Sequence, residues 1–592
     1  MQARTPEWVK DAVFYQIFPE RFARSERMQH RRPSGLESWD SEPTRFGYKG
    51  GDLYGVAENM DYLKRLGITA IYFNPIFQSA SNHRYHTQDY YRVDPILGGD
   101  EAFEEMLAAA HERGIKVVLD GVFNHSSRGF YEFQQTMENG SSSPYLDWFY
   151  FDHETLAPGV GPDAYPEPRL HREQLRGAGQ ENGEASGTTG AGQTGDSSAP
   201  AGDSSSQAGA PDDHPNAASS QAGAPDDHPN AASGQAGAPD DHPKAASLEN
   251  DTGLTIRDGG SKDRYGYHAW WDIPALPKFN TDTPAVREFL LSVAEYWVQR
   301  GIDGWRLDVP EEIDDDAFWR EFRRRVKAVN PDAYIVGEIW TYAERWLSGD
   351  QFDAVMNYVF NRLCYRFFGG RTIDPEHDSP GGHKLEPADA ERFEAEFEEL
   401  RTRYPEEITR AQLNLLSSHD EPRFLTVVSE DKSAFRLATA FQMTIEGAPC
   451  IYYGDEIGMT GGSDPECRRT FPEDRSSFDE DLLEYIRELI SLRHRCEALR
   501  RGSHHTLIAR GSVYGFLRSH PESWAVVLFN AGDSEWRGEI DVSEVLAALP
   551  GDAKRPAYST HEAVFGSGSF TFESGVFIGF SLGPRQAAVF AG

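Results

Sequence analysis

The chain has 592 residues, with 58 Lys and Arg against 95 Asp and Glu, and a formal charge of −37. That balance excludes a surface built for the nucleic-acid backbone or for anionic lipid, both of which need positive charge. No apolar run reaches the roughly 18–20 residues of a membrane span, and the opening MQARTPEWVKDAVFYQ lacks the apolar core and cleavage site of a secretory leader. The basic residues are 47 Arg and only 11 Lys. An acidic, Arg-rich, Lys-poor surface suits a cytoplasm of multimolar salt, where screening removes most self-repulsion; a GC-rich genome is the plainer alternative. Four cysteines, Cys364, Cys450, Cys467 and Cys496, lack CxxC spacing, so free thiols are expected, without a disulfide framework or a zinc site.

In chain order, strand-like apolar runs fall at AVFYQIF (12–18), ITAIYFN (68–74), KVVLDGVF (116–123), GWRLDV (304–309), YIVGEIW (334–340), FDAVMNY (352–358), QLNLLSS (412–418) and PCIYYGDE (449–456). Helical patterns such as 100–114 and 285–301 lie between them. Eight such strands with helical crossovers predict an α/β fold, a (β/α)8 TIM barrel. The barrel is expected in two parts, 1–125 and 276–500, with an inserted subdomain over 126–275, after strand three. Within the insertion, residues 176–247 contain no Val, Ile, Leu, Met, Cys, Phe, Tyr or Trp. QAGAPDDHPNAASS (207–220) returns twice with a period of 14 residues, as QAGAPDDHPNAASG and QAGAPDDHPKAASL. Its recurring Asp-Asp-His admits a metal-binding reading. The repeat has no apolar face to stack, however, and reads as an expanded solvated loop whose deletion leaves stability and turnover nearly unchanged. From 501 to 592 short alternating strands predict an antiparallel β-sandwich.

The active site of such a barrel lies at the carboxyl ends of its strands. Asp120, Asn124 and His125 close strand three, Arg306 and Asp308 strand four, Glu338 strand five, and His419 and Asp420 strand seven. Each alone has a structural explanation as a cap, a surface acid or a paired core histidine; four clusters at strand ends together point to chemistry. Two carboxylates on neighbouring strands suit glycoside cleavage with retention, which needs them about 5–5.5 Å apart. Asp308 is then the nucleophile, kept ionised by Arg306 on the same strand face. Glu338, beside Ile339 and Trp340, is the general acid, raised by its drier setting. Asp420 binds sugar hydroxyls and favours the distorted ring, and His125 and His419 bond hydroxyls of the same unit. Tyr85, Trp340, Trp346 and Tyr358 are candidate sugar-facing rings or core packing.

These motifs resemble the α-amylase family, glycoside hydrolase family 13: DGVFNH (120–125), GWRLDVPEE (304–312), GEIW (337–340) and SSHDEP (417–422). LPKFN (276–280), GGDLYGV (50–56), SNHRYHTQDYYRVDP (81–95) and GDQFDAVMNY (349–358) are similar to its neopullulanase, cyclomaltodextrinase and maltogenic-amylase branch. The resemblance implies Asp308 as nucleophile, Glu338 as acid/base and Asp420 as the third carboxylate. It places Arg306, His125, His419 and Tyr85 around the glycone, supported by Asp120 and Asn124. Glu312 and Trp346 fall on the acceptor side, and Arg423 within reach of substrate. VFYQIFPERF begins at residue 13, without the N-terminal β-domain usual in the branch, so a monomer with an open cleft is expected. Pro310, Glu311 and Glu312 replace the branch's Ala-Asn-Glu. Where relatives place Asn and Asp ligands for calcium, this chain has Arg24, Ser25, Glu26 and Arg27; no cofactor is required on this reading, and calcium stays an open alternative for which Asp52 alone does not supply the several oxygen ligands.

The function expected is a hydrolase cutting α-1,4 bonds of maltodextrins, cyclodextrins or starch through a glycosyl-enzyme, with some transfer to sugar acceptors. The alternatives are an exo-acting α-glucosidase or a glucan transferase on the same scaffold, although LPKFN argues against the α-glucosidase branch. A non-catalytic glucan-binding or transporter-associated barrel would be expected to lose the carboxylates. Bond preference between α-1,4 and α-1,6 stays open.

Overall fold

A computed structural model of the chain describes residues 4–152, 265–377, 379–551, 553–573 and 577–592. The expected loop 176–247, with its repeat, lies outside the described residues. Eight parallel strands run β1 (Phe14–Ile17), β2 (Ala70–Phe73), β3 (Lys116–Gly121), β4 (Gly304–Leu307), β5 (Tyr334–Gly337), β6 (Ala354–Val355), β7 (Leu413–Leu415) and β8 (Ala448–Tyr452). They pair in the order β6-β5-β4-β3-β2-β1-β8-β7. A parallel bridge between Met356 and Leu413 joins the two outer strands, so the sheet closes into a barrel. Parallel neighbours need crossover connections, and helices such as Pro284–Gln299 supply them. That helix buries Val286, Leu290, Leu291, Val293, Ala294, Trp297 and Val298, an apolar stripe at helical spacing turned to the sheet.

The two-residue period of a strand sorts its side chains. Phe14, Tyr72, Val118, Val336 and Leu415 fill the barrel interior, whereas their neighbours Tyr15, Ile71, Val117 and Ile335 join the outer core with the helices. The same parity carries Gln16, Asn74, Asp120, Arg306 and Glu338 onto the inner face, one step above the apolar layer. Asp120 and Arg306 are register partners across β3 and β4. The segment leaving β3 packs the helix Tyr131–Asn139 and the rings of Phe133, Phe149, Phe151 and Phe279. Its returning end is bridged to the barrel between His125 and Lys278, which sets LPKFN against the end of β3.

The C-terminal part holds a five-stranded and a four-stranded antiparallel sheet. The strands Val513–Ser519 and Trp524–Asn530 are buried at every position, because both faces are covered. One face meets the barrel helices, with Phe393 5.1 Å from Tyr514 and Phe441 5.9 Å from Phe529 between ring centres. The other packs Leu517, Val526 and Leu528 on Phe570, Ile578 and Phe580. All four cysteines are buried and unbridged. Among the described residues no helix is long and apolar enough to cross a membrane.

Candidate active site

One buried guanidinium organises the carboxyl ends of β3, β4 and β5. Arg306 Nη1 donates to Asp120 Oδ1 at 2.9 Å, to Asp120 Oδ2 at 3.0 Å and to Asp308 Oδ1 at 3.0 Å. Its Nη2 lies 2.9 Å from Glu338 Oε2. β4 ends at Leu307 and Asp308 leaves the sheet, so its second oxygen is free of protein partners. The next residue, Val309, sits in the left-handed region with φ 35° and ψ 54°. A β-branched residue there is strained by about 1–3 kcal/mol, and the turn aims its N–H at Glu338 Oε2, 3.1 Å away. Trp340 Nε1 donates to the other Glu338 oxygen at 3.2 Å. The Trp340 ring stacks on Tyr358 at 3.9 Å; Tyr358, fully buried, belongs to the barrel interior.

The expected lowering of the Asp308 carboxyl by Arg306 does not follow. Burial, and then the charge of Glu338, push Asp308 well above the usual carboxylate range against the pull of Arg306, because one cation is shared among three buried acids. Asp120 is pushed up to about 6 by burial, with Arg306 opposing.

A second network closes the wall beside Asp120. The Tyr85 hydroxyl donates to Asp120 Oδ2 at 2.8 Å, meets His419 Nε2 at 2.6 Å and accepts from Asn74 Nδ2 at 3.1 Å. Gln16 Nε2 bonds His419 Nδ1 at 3.0 Å and Asn74 Oδ1 at 3.1 Å. The loop presenting Tyr85 is held by the buried Arg84, which pairs with Glu20 at 3.1 Å and Asp94 at 2.9 Å. His419 Nε2 also lies 3.1 Å from Asp420 Oδ2. Across the site, His125 stacks on Trp270 at 5.0 Å and Asn124 Nδ2 lies 3.3 Å from its Nδ1. Burial pushes His125 down to about 3 and His419 well below the usual imidazole range, so both rings are neutral near pH 7.

The sequence reading missed several groups. Arg468 donates to the His419 carbonyl at 2.8 Å and reaches Asp420 Oδ1 at 3.4 Å; it lies in a loop far along the chain, steadied by Asp464 at 3.0 Å. Gln16 and Asn74 were legible from strand parity, two residues beyond Phe14 and Tyr72. Lys278 pairs with Glu312 at 2.9 Å. Arg423 is a correction: it is fully buried, bonds the Tyr453 carbonyl and Asp455 at 2.9 Å each, and stacks on Tyr452, so it packs the fold rather than reaching substrate. Trp346 lies under the Arg345 guanidinium at 5.1 Å and bonds none of the acids. Asp52 does not fit a calcium site. Its oxygens accept from Gly55 N at 2.8 Å, Ser25 N at 2.9 Å and Arg32 Nη2 at 3.2 Å, which makes it a helix cap.

Comparison with known proteins gives a consistent set of similarities. The family model for the α-amylase catalytic domain matches residues 16–173 and 260–486. Neopullulanase 2 of Thermoactinomyces vulgaris is 37% identical over 536 residues, 90% of this chain and 71% of the relative. A cyclomaltodextrinase of Geobacillus thermopakistaniensis is 38% identical over 539 residues, 91% of this chain and 71% of the relative. Among solved structures, a debranching enzyme from Nostoc punctiforme matches with a TM-score of 0.74 at 37% identity, covering 100% of both chains.

Proposed function

From the premise that the chain belongs to the α-amylase family of glycoside hydrolases, we propose that it cleaves α-1,4 bonds of maltodextrins and cyclodextrins with retention at the anomeric carbon. The observation that carries this reading is the single Arg306 guanidinium, hydrogen-bonded to Asp308 and ion-paired with Glu338 at 2.9 Å. Two carboxylates held on one guanidinium are compatible with a retaining pair, which acts from about 5–5.5 Å. Asp308 attacks the anomeric carbon in its ionised form, which Arg306 favours against burial and the Glu338 charge, through Oδ2, which no protein group satisfies. Glu338 protonates the departing glycosidic oxygen. The glycosyl-enzyme is then opened by a water that Glu338 deprotonates, returning the proton it lost. Asp420 and the neutral His125 and His419 hold hydroxyls of the ring being distorted, and Asp120 steadies Arg306. Two neutral imidazoles bond the sugar without competing for the cation-like charge that grows on it.

A second reading, hydrolysis of α-1,6 branch bonds, is favoured by the end-to-end match to the Nostoc debranching enzyme. One assay separates them. Purified protein is incubated with cyclodextrin, soluble starch and pullulan, and proton NMR follows the rate and the first-formed anomer. Molar KCl is included in one series, since the −37 charge and 47 Arg against 11 Lys support a salt-rich cytoplasmic setting. Cyclodextrin opening with α-anomeric product is expected, and Asp308→Asn should lower it at least about 10⁴-fold. A first-formed β-anomer would sink the retaining assignment, and cleavage confined to branch bonds would replace the first reading by the second.

A further inference from the structure

The carboxyl group of the proposed acid/base is held at both oxygens. Val309 N–H and the Arg306 guanidinium hold Oε2 of Glu338, and Trp340 Nε1 donates to Oε1. The last torsion of a glutamate side chain is soft. Two ties on one oxygen therefore leave the carboxyl plane free to swing, and the indole N–H stops that rotation. Proton transfer to a glycosidic oxygen depends on how the acid is aimed, so the seat of Trp340 bears on the chemistry.

Three contacts make that seat. The indole face lies on Tyr358, 3.9 Å away and 6° from parallel. The Trp340 carbonyl accepts from Arg362 Nη2 at 3.0 Å, on the helix Tyr358–Cys364. The edge of the six-membered ring, opposite the N–H, faces Gly381. A Cβ added at Gly381 would lie 2.6 Å from Trp340 Cζ3, 2.9 Å from Cε3 and 3.0 Å from Oε1 of the buried Glu421. Carbon atoms pack at about 3.5–4.0 Å, so only a residue without a side chain fits between this ring and this carboxyl. Gly381 belongs to a single turn, Pro380–Gly382, anchored by the buried Pro380. Gly382 N–H closes it on the Ser379 carbonyl at 3.0 Å and His383 N–H on the Pro380 carbonyl at 3.1 Å. Its own φ of 58° and ψ of 21° lie in the left-handed region. Backbone and contact thus both demand glycine at 381. Elsewhere the backbone alone does: Gly114, after the helix Gly99–Glu112, has φ 70°, and a Cβ added there meets nothing within 4 Å.

We propose that Gly381 is a positioning residue for the acid/base: its bare Cα is the stop against which the Trp340 ring edge rests, and that stop keeps the indole N–H on Glu338. The proposal rests on the α-glucan hydrolase reading, in which Glu338 is the proton donor, and adds to it the part of the fold that aims the donor.

The test uses Gly381→Ala, which inserts one methyl group into the gap, and Gly114→Ala, a left-handed alanine without a neighbour. Trp340→Phe, which removes the N–H and the outer ring, is made alone and together with Gly381→Ala. kcat/KM is measured on maltotriose and on 4-nitrophenyl α-maltoside. Both present a maltosyl glycone, but glucose needs a proton to leave and nitrophenolate does not, so a misaimed acid is felt on maltotriose. Expected in Gly381→Ala is a roughly tenfold fall on maltotriose, the loss of about one hydrogen bond, with the nitrophenyl substrate within about threefold. Gly114→Ala should lower Tm through its strained backbone and leave both rates within about twofold. In the Trp340→Phe background, adding Gly381→Ala should change the maltotriose rate by less than about twofold, because the methyl group then displaces no indole. Equal losses on both substrates, or none on either, would overturn the proposal. Losses that multiply in the double variant would do the same, by showing that Gly381 acts through another group. A wild-type chain that opens neither substrate removes the hydrolase reading itself, an outcome distinct from an unselective loss.

Discussion

The two sides of the cleavage point are built differently. On the glycone side, Tyr85, His419, Asp120, Asn74 and Gln16 form one continuous hydrogen-bonded chain anchored on three strands. On the leaving-group side, a strained Val309 is followed by a single turn, a partly exposed Lys278–Glu312 pair and a Glu311 whose Oε2 has no partner. A closed network fixes each dipole before substrate arrives, the arrangement that stabilises developing charge without reorganisation. It also leaves little room for substitution, since each member satisfies another. The open side can change one residue at a time, and there this chain has Pro310 and Glu311 where the resembling branch has Ala and Asn. Bond cleavage is invested in the first region and individuality in the second.

The sharpest way to break that contrast is to open the closed side. Tyr85→Phe removes one hydroxyl that three partners share, leaving Asp120 Oδ2 with Arg306 at 3.0 Å and Tyr72 at 3.2 Å and His419 Nε2 with Asp420 alone. A small displacement of a positioning group costs about 10²-fold in rate. We expect kcat on maltotriose to fall by about that factor, with KM changing less than about threefold, in steady-state assays. A kcat within threefold of wild type would show that the wall is not a unit and would remove the basis of the comparison.

Much of this arrangement was legible in the sequence because two physical rules are local. Strand periodicity assigns Asp120, Arg306 and Glu338 to the inner face as soon as the strands are placed, and the barrel puts strand ends on one rim. Asp308 and Glu338 were placed correctly at those ends, although each lies one residue past its strand. What the sequence could not supply came from long-range assembly. Arg468 joins Asp420 across 48 positions of chain, and no periodicity announces such a contact. Arg423 misled because a resemblance carries over a position and not a direction; its side chain turns into the core. The Asp308 environment misled because a pairwise argument assigned Arg306 to one acid, whereas the fold divides it among three.

Asp420 stands between the two sides and gives the next test. Its side chain is 27% exposed, bonded to Arg468 and His419, and burial with the charge of Glu338 pushes it up to about 7. An unfolded aspartate titrates near 3.9. A folded pKa raised above the unfolded value means stability that is complete below about pH 4, declines as pH rises, and levels off above about pH 7. Asp420→Asn deletes that cost. Thermal unfolding should therefore show a Tm a few degrees above wild type at pH 8, with the gain shrinking to nothing near pH 4. A gain independent of pH would mean that packing, not ionisation, distinguishes the two chains.

The smallest effect is expected on the open side, and it is informative because it is small. Lys278 and Glu312 meet at 2.9 Å with side chains 16% and 29% exposed, and partly exposed pairs of this kind contribute about 0–1 kcal/mol. Lys278→Met should therefore shift kcat/KM for hydrolysis of maltotriose by less than about fivefold. The pair ties the returning end of the inserted segment to the turn after Asp308, so its loss frees that turn on the side where an acceptor sugar must bind. The ratio of transfer to hydrolysis, read by product analysis with added glucose, should move more than the hydrolysis rate itself. A hydrolysis loss as large as that of Tyr85→Phe would show that both sides are equally preorganised, and the division between a fixed glycone wall and an adjustable leaving-group side would not hold.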